Sequence, residues 1–162
     1  MMARKPIAYV QAAWHTDITE HCKQAFMAEM TRHGYQAGNV EFFSTPGSLE
    51  IPLMAKKLAK SGRYAAVCAS GLVVDGGIYR HEFVAHAVLQ GIMQTSLETE
   101  VPVLSAVLTP HHFHEHSVHA EFFKQHMQTK GRELAEACVS IVDKLADLEA
   151  ASPAPRLTPS SS

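Results

Sequence analysis

Cysteine is scarce in this chain, three in 162 residues, and the three stand far apart at positions 22, 68 and 138 inside apolar segments. No C-x-x-C pair and no even count is available, so a disulfide framework is excluded, and the residues read as small core members of a reduced, cytoplasmic protein. Long apolar runs are also missing. No segment approaches the roughly 18 apolar residues of a membrane span, and the opening MMARKPIAYVQAAW reads as a first strand rather than a signal peptide. Clustered basic charge is absent too: the net charge is −2 and Lys and Arg are scattered, which removes nucleic acid as an expected partner.

What is present fits one ordinary domain over residues 1–150, followed by a Pro/Ser-rich tail, residues 151–162, expected to be disordered. Residues 6–13 (PIAYVQAA) form a short apolar run. Thr16-Asp17 with Glu20 then gives the N-cap arrangement of a helix running to about Gly34, with Ile18, Cys22, Phe26 and Met30 as its buried stripe. Residues 40–44 (VEFFS) predict a second strand, Pro46-Gly47 a turn, and residues 48–61, with Leu49, Leu53, Leu58 and several alanines, a second helix. Residues 65–74 (AAVCASGLVV) are apolar nearly throughout, as a parallel strand covered on both faces should be. Asp75-Gly76-Gly77 ends that strand, and a helix fits residues 79–99. A fourth strand, residues 101–108 (VPVLSAVL), precedes a helical region to about residue 150 that should be broken or bent near Thr129-Lys130-Gly131.

Four strands, each followed by a helix, predict an α/β fold: a three-layer α/β/α sandwich with a four-stranded parallel sheet, flavodoxin-like in kind. Such sheets bind ligands at the carboxyl ends of their strands. The loops gathered there hold Trp14-His15, Pro46-Gly47-Ser48, residues 75–80, and the stretch from Thr109 that begins the histidine-rich segment TPHHFHEHSVHAEFFKQH.

That segment holds six of the eleven histidines. His116, His119 and His126 share one helical face, which permits a metal. No cysteine is near, however, and Glu115 and Glu121 lie off that face, so solvated or hydrogen-bonded histidines are the expectation and no metal is assigned. His81-Glu82-Phe83-Val84-Ala85-His86 misses the HExxH zinc spacing by one residue, which turns the two imidazoles apart. Gly76-Gly77 opening a helix could cradle a phosphate or serve only as a turn. Arg80 and His81 in the first helical turn favour an anion opposite them, and either could transfer a proton. Trp14 is core filler or a stacking platform for a planar ligand. Glu50 serves its helix dipole or accepts hydrogen bonds from a ligand.

In order along the chain, Pro46-Gly47-Ser48-Leu49-Glu50-Ile51-Pro52, Ala55-Lys56-Lys57-Leu58-Ala59, Gly71 to Gly76, Phe83-Val84, Gly91-Ile92, Glu100-Val101-Pro102-Val103 and Lys130-Gly131 resemble the 6,7-dimethyl-8-ribityllumazine synthases. PGSLEIP is the most specific piece. The resemblance implies a riboflavin-biosynthesis transferase that condenses 5-amino-6-ribitylaminouracil with 3,4-dihydroxy-2-butanone 4-phosphate. It also implies no cofactor, and pentamers with active sites between neighbouring subunits.

Matched position by position, Trp14 replaces the aromatic that stacks on the pyrimidine, and Ser48, Leu49 and Glu50 match the segment that binds the ribityl chain. Leu72, Val73 and Val74 match the strand end whose backbone reads the uracil edge, and Gly77 and Ile78 match the phosphate-cradling turn. Ser105 stands where a neighbouring subunit usually contributes a phenylalanine, and Lys130 matches a late lysine. Two positions depart from the family pattern. The catalytic histidine falls on Arg80, with His81 next to it, and the phosphate-binding arginine falls on His119. An arginine cannot act as a base at neutral pH, so proton transfer passes to His81 or the enzyme relies on positioning. A histidine at 119 should hold phosphate less firmly as it loses its proton. These departures, with GGIYRHEF and LTPHHFHEH, resemble the divergent type II subtype that pairs pentamers into decamers. The alternative is a module that binds riboflavin or lumazine with weak residual catalysis.

Overall fold

The computed structural model describes residues 4–74, 80–109 and 117–151, with side chains from residue 121 onward in the last of these. Four strands, β1 (Ile7–Ala12), β2 (Val40–Thr45), β3 (Ala66–Leu72) and β4 (Val103–Leu108), form one sheet in the order β2-β1-β3-β4. Every pairing is parallel, with Ile7 opposite both Val40 and Ala66, and Val67 opposite Val103. The helices are α1 (Thr16–Arg32), α2 (Ile51–Lys60), α3 (His81–Thr99) and α4 (Ser117–Ala151). Strand and helix alternate throughout, and the expected α/β/α sandwich is the architecture observed.

The central strands explain the layering. All seven residues of β3 are buried, as a strand covered on both faces requires. Along β1 the side chains alternate: Ile7 and Tyr9 enter a core with Ile18, Cys22, Phe26 and Met30 of α1 and Met127, Leu134 and Cys138 of α4. Ala8, Val10 and Ala12 enter a second core with Ile51, Ala55 and Ala59 of α2 and Val88 and Ile92 of α3. All three cysteines are buried free thiols. Burial lifts Cys22 to about 11, outweighing the lowering effect of the bond it accepts from the Tyr9 hydroxyl at 3.4 Å.

Helix ends and faces correct several expectations. The Thr16-Asp17-Glu20 cap does not form. Thr16 is already helical, and His15 stands at the cap with φ 54°, its carbonyl accepting from the Ile18 and Thr19 amides. At the other end Gly34 takes φ +88°, and the Gly34 and Tyr35 amides donate to the Thr31 and Met30 carbonyls, the glycine stop that was expected. In α2 the inward face is Ile51, Ala55 and Ala59, while Leu53 is 65% exposed. Small inward residues let α2 sit close to the sheet and to α3, where a Cβ on Gly91 would lie 2.8 Å from the Pro52 ring.

The break expected at residues 129–131 is absent, and α4 is helical through all 35 residues. Gly131 serves contact instead of bending: a Cβ there would collide with the Cys22 carbonyl oxygen of α1. The roughly 1 kcal/mol that glycine costs a helix interior is offset by this close helix–helix approach.

Candidate functional site

The carboxyl ends of β1, β2 and β3 open onto a cleft of about 440 Å³ lined by Trp14, residues 46–50, Leu72, Val73, Val74 and Val84. Its shape follows from two glycines and a threonine. The Thr45 hydroxyl donates to the Gly47 carbonyl at 2.8 Å and fixes the turn that leaves β2. Gly47 has no Cβ, and an added one would lie 3.1 Å from Glu50 Oε2 and 3.7 Å from Trp14 Nε1. The carboxylate and the indole edge therefore approach the same small volume. On β3, a Cβ at Gly71 would lie 2.8 Å from Ser48 Oγ, so this glycine is what lets the Ser48–Glu50 turn seat against the strand.

The walls are Trp14, Leu49, the Leu72–Val73–Val74 segment and Val84, and the polar groups are Ser48 and Glu50. Trp14 is 63% and Leu49 55% exposed, so neither serves as core filler in the single chain. The Val73 amide donates to the Leu108 carbonyl at 2.8 Å, which holds the end of β3 to the end of β4. A small planar ligand with a hydroxylated chain suits such a cleft: apolar faces to sandwich it, few and convergent polar groups to orient it.

Seven of the residues expected at a site thus come together: Trp14, Ser48, Leu49, Glu50, Leu72, Val73 and Val74. Arg80 and His81 lie beyond Val84 at the start of α3, outside the cleft lining. Arg80 is the extended cap residue, not part of the first turn, with its guanidinium 6.0 Å from the centre of the Phe83 ring. His81 is the first helical residue. Its ring is only 12% exposed, Nδ1 is 2.5 Å from Thr109 Oγ1 and Nε2 is 3.8 Å from Glu82 Oε1.

Ser105 lies exposed on the edge strand β4, where its hydroxyl accepts from the Val107 amide at 3.0 Å. Lys130 pairs with Glu133 on α4 at 2.9 Å. Neither reaches the cleft of its own chain. Gly77, Ile78 and residues 152–162 lie outside the described residues, as does the side chain of His119, whose backbone belongs to α4. Of the histidine face considered for a metal, His126 is described: it stacks on Phe122 with planes 3° apart. Among the described residues no three His, Cys, Asp or Glu side chains converge. Val84 and Thr109 carried no assignment from the sequence. Val84 reaches the cleft through the packing of α3 on the sheet, and Thr109 stands at the carboxyl end of β4.

A parallel α/β sandwich with a small-ligand cleft at its carboxyl edge defines the class. The family model for 6,7-dimethyl-8-ribityllumazine synthase matches residues 4–146. The chain is 52% identical to the 6,7-dimethyl-8-ribityllumazine synthase of Rhodococcus erythropolis over 86% of its length and 90% of that protein. It is 56% identical to a 6,7-dimethyl-8-ribityllumazine synthase 2 of Bradyrhizobium diazoefficiens, over 83% and 80% of the two chains. With the corresponding protein of Pseudomonas syringae pv. tomato it shares 50% over 88% and 84%. An archaeal flavodoxin structure aligns with 82% of this chain and 98% of its own at a TM-score of 0.36 and 10% identity, too slight a likeness to argue from. The chain belongs to the 6,7-dimethyl-8-ribityllumazine synthase family.

Proposed function

We propose that the protein is a 6,7-dimethyl-8-ribityllumazine synthase of riboflavin biosynthesis. It condenses 5-amino-6-ribitylaminouracil with 3,4-dihydroxy-2-butanone 4-phosphate through an imine, releases phosphate and closes the ring. The observation that carries this reading is the cleft itself, where Trp14, the Ser48–Glu50 turn and the end of β3 meet in a chain about half identical to such enzymes.

In this reading Trp14 stacks on the pyrimidine, Ser48, Leu49 and Glu50 take the ribityl chain, and the backbone of Leu72, Val73 and Val74 reads the uracil edge. Gly77, Ile78 and His119 hold the phosphate. The largely enclosed, hydrogen-bonded ring of His81 suits proton transfer, while exposed Arg80 orients substrate and offsets developing phosphate charge. Ser105 and Lys130 act in a site completed by a neighbouring copy. Leu53, Phe83, Leu89, Met93 and Leu97 stand out on the α2–α3 side, an apolar surface of the kind that homo-oligomers cover. The departures at positions 80 and 119 favour the type II arrangement, a decamer of two pentamers.

Purified protein given both substrates should produce lumazine absorbance above the uncatalysed condensation. Equality with that control would overturn the reading. His81→Ala should lower kcat about a hundredfold, and more than Arg80→Ala does. The second reading, a riboflavin- or lumazine-binding module, is favoured by Arg80 at the catalytic position. Tight riboflavin binding with negligible turnover would select it.

A further inference from the structure

We propose that Thr109 is the positioning residue of the proton-transfer histidine, holding the His81 ring in one tautomer and one orientation; this rests on the reading of His81 given above. Thr109 directly follows β4, whose last residue is tied to β3 by the Val73–Leu108 hydrogen bond, so its hydroxyl is delivered by the sheet rather than by a free loop. His81 opens α3, with its ring largely enclosed and Nδ1 2.5 Å from Thr109 Oγ1.

A hydroxyl oxygen is suited to this task. It accepts from Nδ1–H when the ring is neutral and again when the ring is protonated, so the bond survives the proton's arrival at Nε2 and its departure. The tautomer with hydrogen on Nδ1 leaves the Nε2 lone pair to take the proton. The Glu82 carboxylate, 3.8 Å from Nε2 and more than half exposed, stands on the side where the positive charge then appears. Val73 both lines the cleft and anchors β4, so Thr109, His81 and the cleft wall are tied to one strand end.

Thr109→Val keeps the shape of the side chain and removes the hydroxyl, while Thr109→Ser keeps the hydroxyl. The valine variant should lose about tenfold in kcat with KM little changed, as removal of an orienting partner does, and the serine variant should recover most of it. In the His81→Ala background the valine change should add nothing. Nitrogen-15 NMR of the His81 ring should show the Nδ1–H tautomer in the native and serine proteins and a mixture in the valine protein. Full activity in His81→Ala would sink the reading of His81 and this proposal with it. A crippled His81→Ala beside a fully active Thr109→Val, no recovery with serine, or an unchanged ring spectrum in the valine protein would overturn the positioning role alone.

Discussion

The two faces of the sheet are finished to different degrees. Over one face α1 and α4 pack against each other so closely that a glycine is required at their contact, and the core between them holds Tyr9, Phe26 and all three thiols. Over the other face α2 and α3 seal the sheet with alanine, isoleucine and valine, yet turn Leu53, Leu89, Met93 and Leu97 outward. Hydropathy alone would rank the second pair as the better buried. The difference shows that apolar content and burial within one chain are separate properties: among the described residues α1 leaves no large apolar side chain exposed and α4 leaves Phe122, Leu145 and Leu148, whereas the more apolar α2 and α3 leave Leu53, Phe83, Leu89, Met93 and Leu97.

Four outcomes test this contrast, beginning with the largest. Gly131→Ala places a methyl group against the immovable carbonyl of Cys22 and should cost about 3 kcal/mol of stability by chemical denaturation, despite the better helix propensity of alanine. Alkaline pH should also weaken the same layer. Burial raises the Cys22 thiol from 9.0 to about 11 and pushes Cys68 and Tyr9 up as well. The unfolded chain therefore sheds protons that the folded chain retains. This contribution is whole below pH 9 and fades as pH rises toward 11, at about 1.4 kcal/mol per pH unit for Cys22. A flat stability profile across that window would contradict it.

Gly91→Ala, on the other face, meets a proline ring instead of a backbone carbonyl. Its overpacking is partly offset by helix propensity, so thermal denaturation should register about 1 kcal/mol, well below the Gly131 effect. Smallest in the protomer, Leu97→Glu should leave the helical circular dichroism intact, because the side chain is 75% exposed. Its solution mass should nevertheless fall toward that of a single chain. An unchanged mass would place the subunit contact elsewhere.

Much of the fold was legible because each strand is a short apolar run and each helix begins at a polar or glycine break. The stripe Ile18, Cys22, Phe26 and Met30 is buried as its spacing predicts. The inward face of α2 was not legible from its leucines, since close packing onto the sheet selects alanine and leaves the larger side chains for another surface. Gly131 reads as a helix break in sequence, and only the carbonyl of Cys22 across the helix contact gives its role. At the site, strand ends are visible in a sequence and side-chain partners are not. PGSLE and the Leu72–Val74 segment could be placed at the carboxyl edge, whereas the His81–Thr109 pair joins two elements that meet only when α3 folds back over the sheet.

The seating of α4 on α1 also orders events during synthesis. The first helix made is covered by the last, so Cys22, Phe26 and Met30 remain without their lid until the ribosome has released Met127, Leu134 and Cys138. Until then the nascent chain presents an apolar strip that invites chaperones and aggregation alike, and truncations that remove the second half of α4 should make that vulnerable interval permanent.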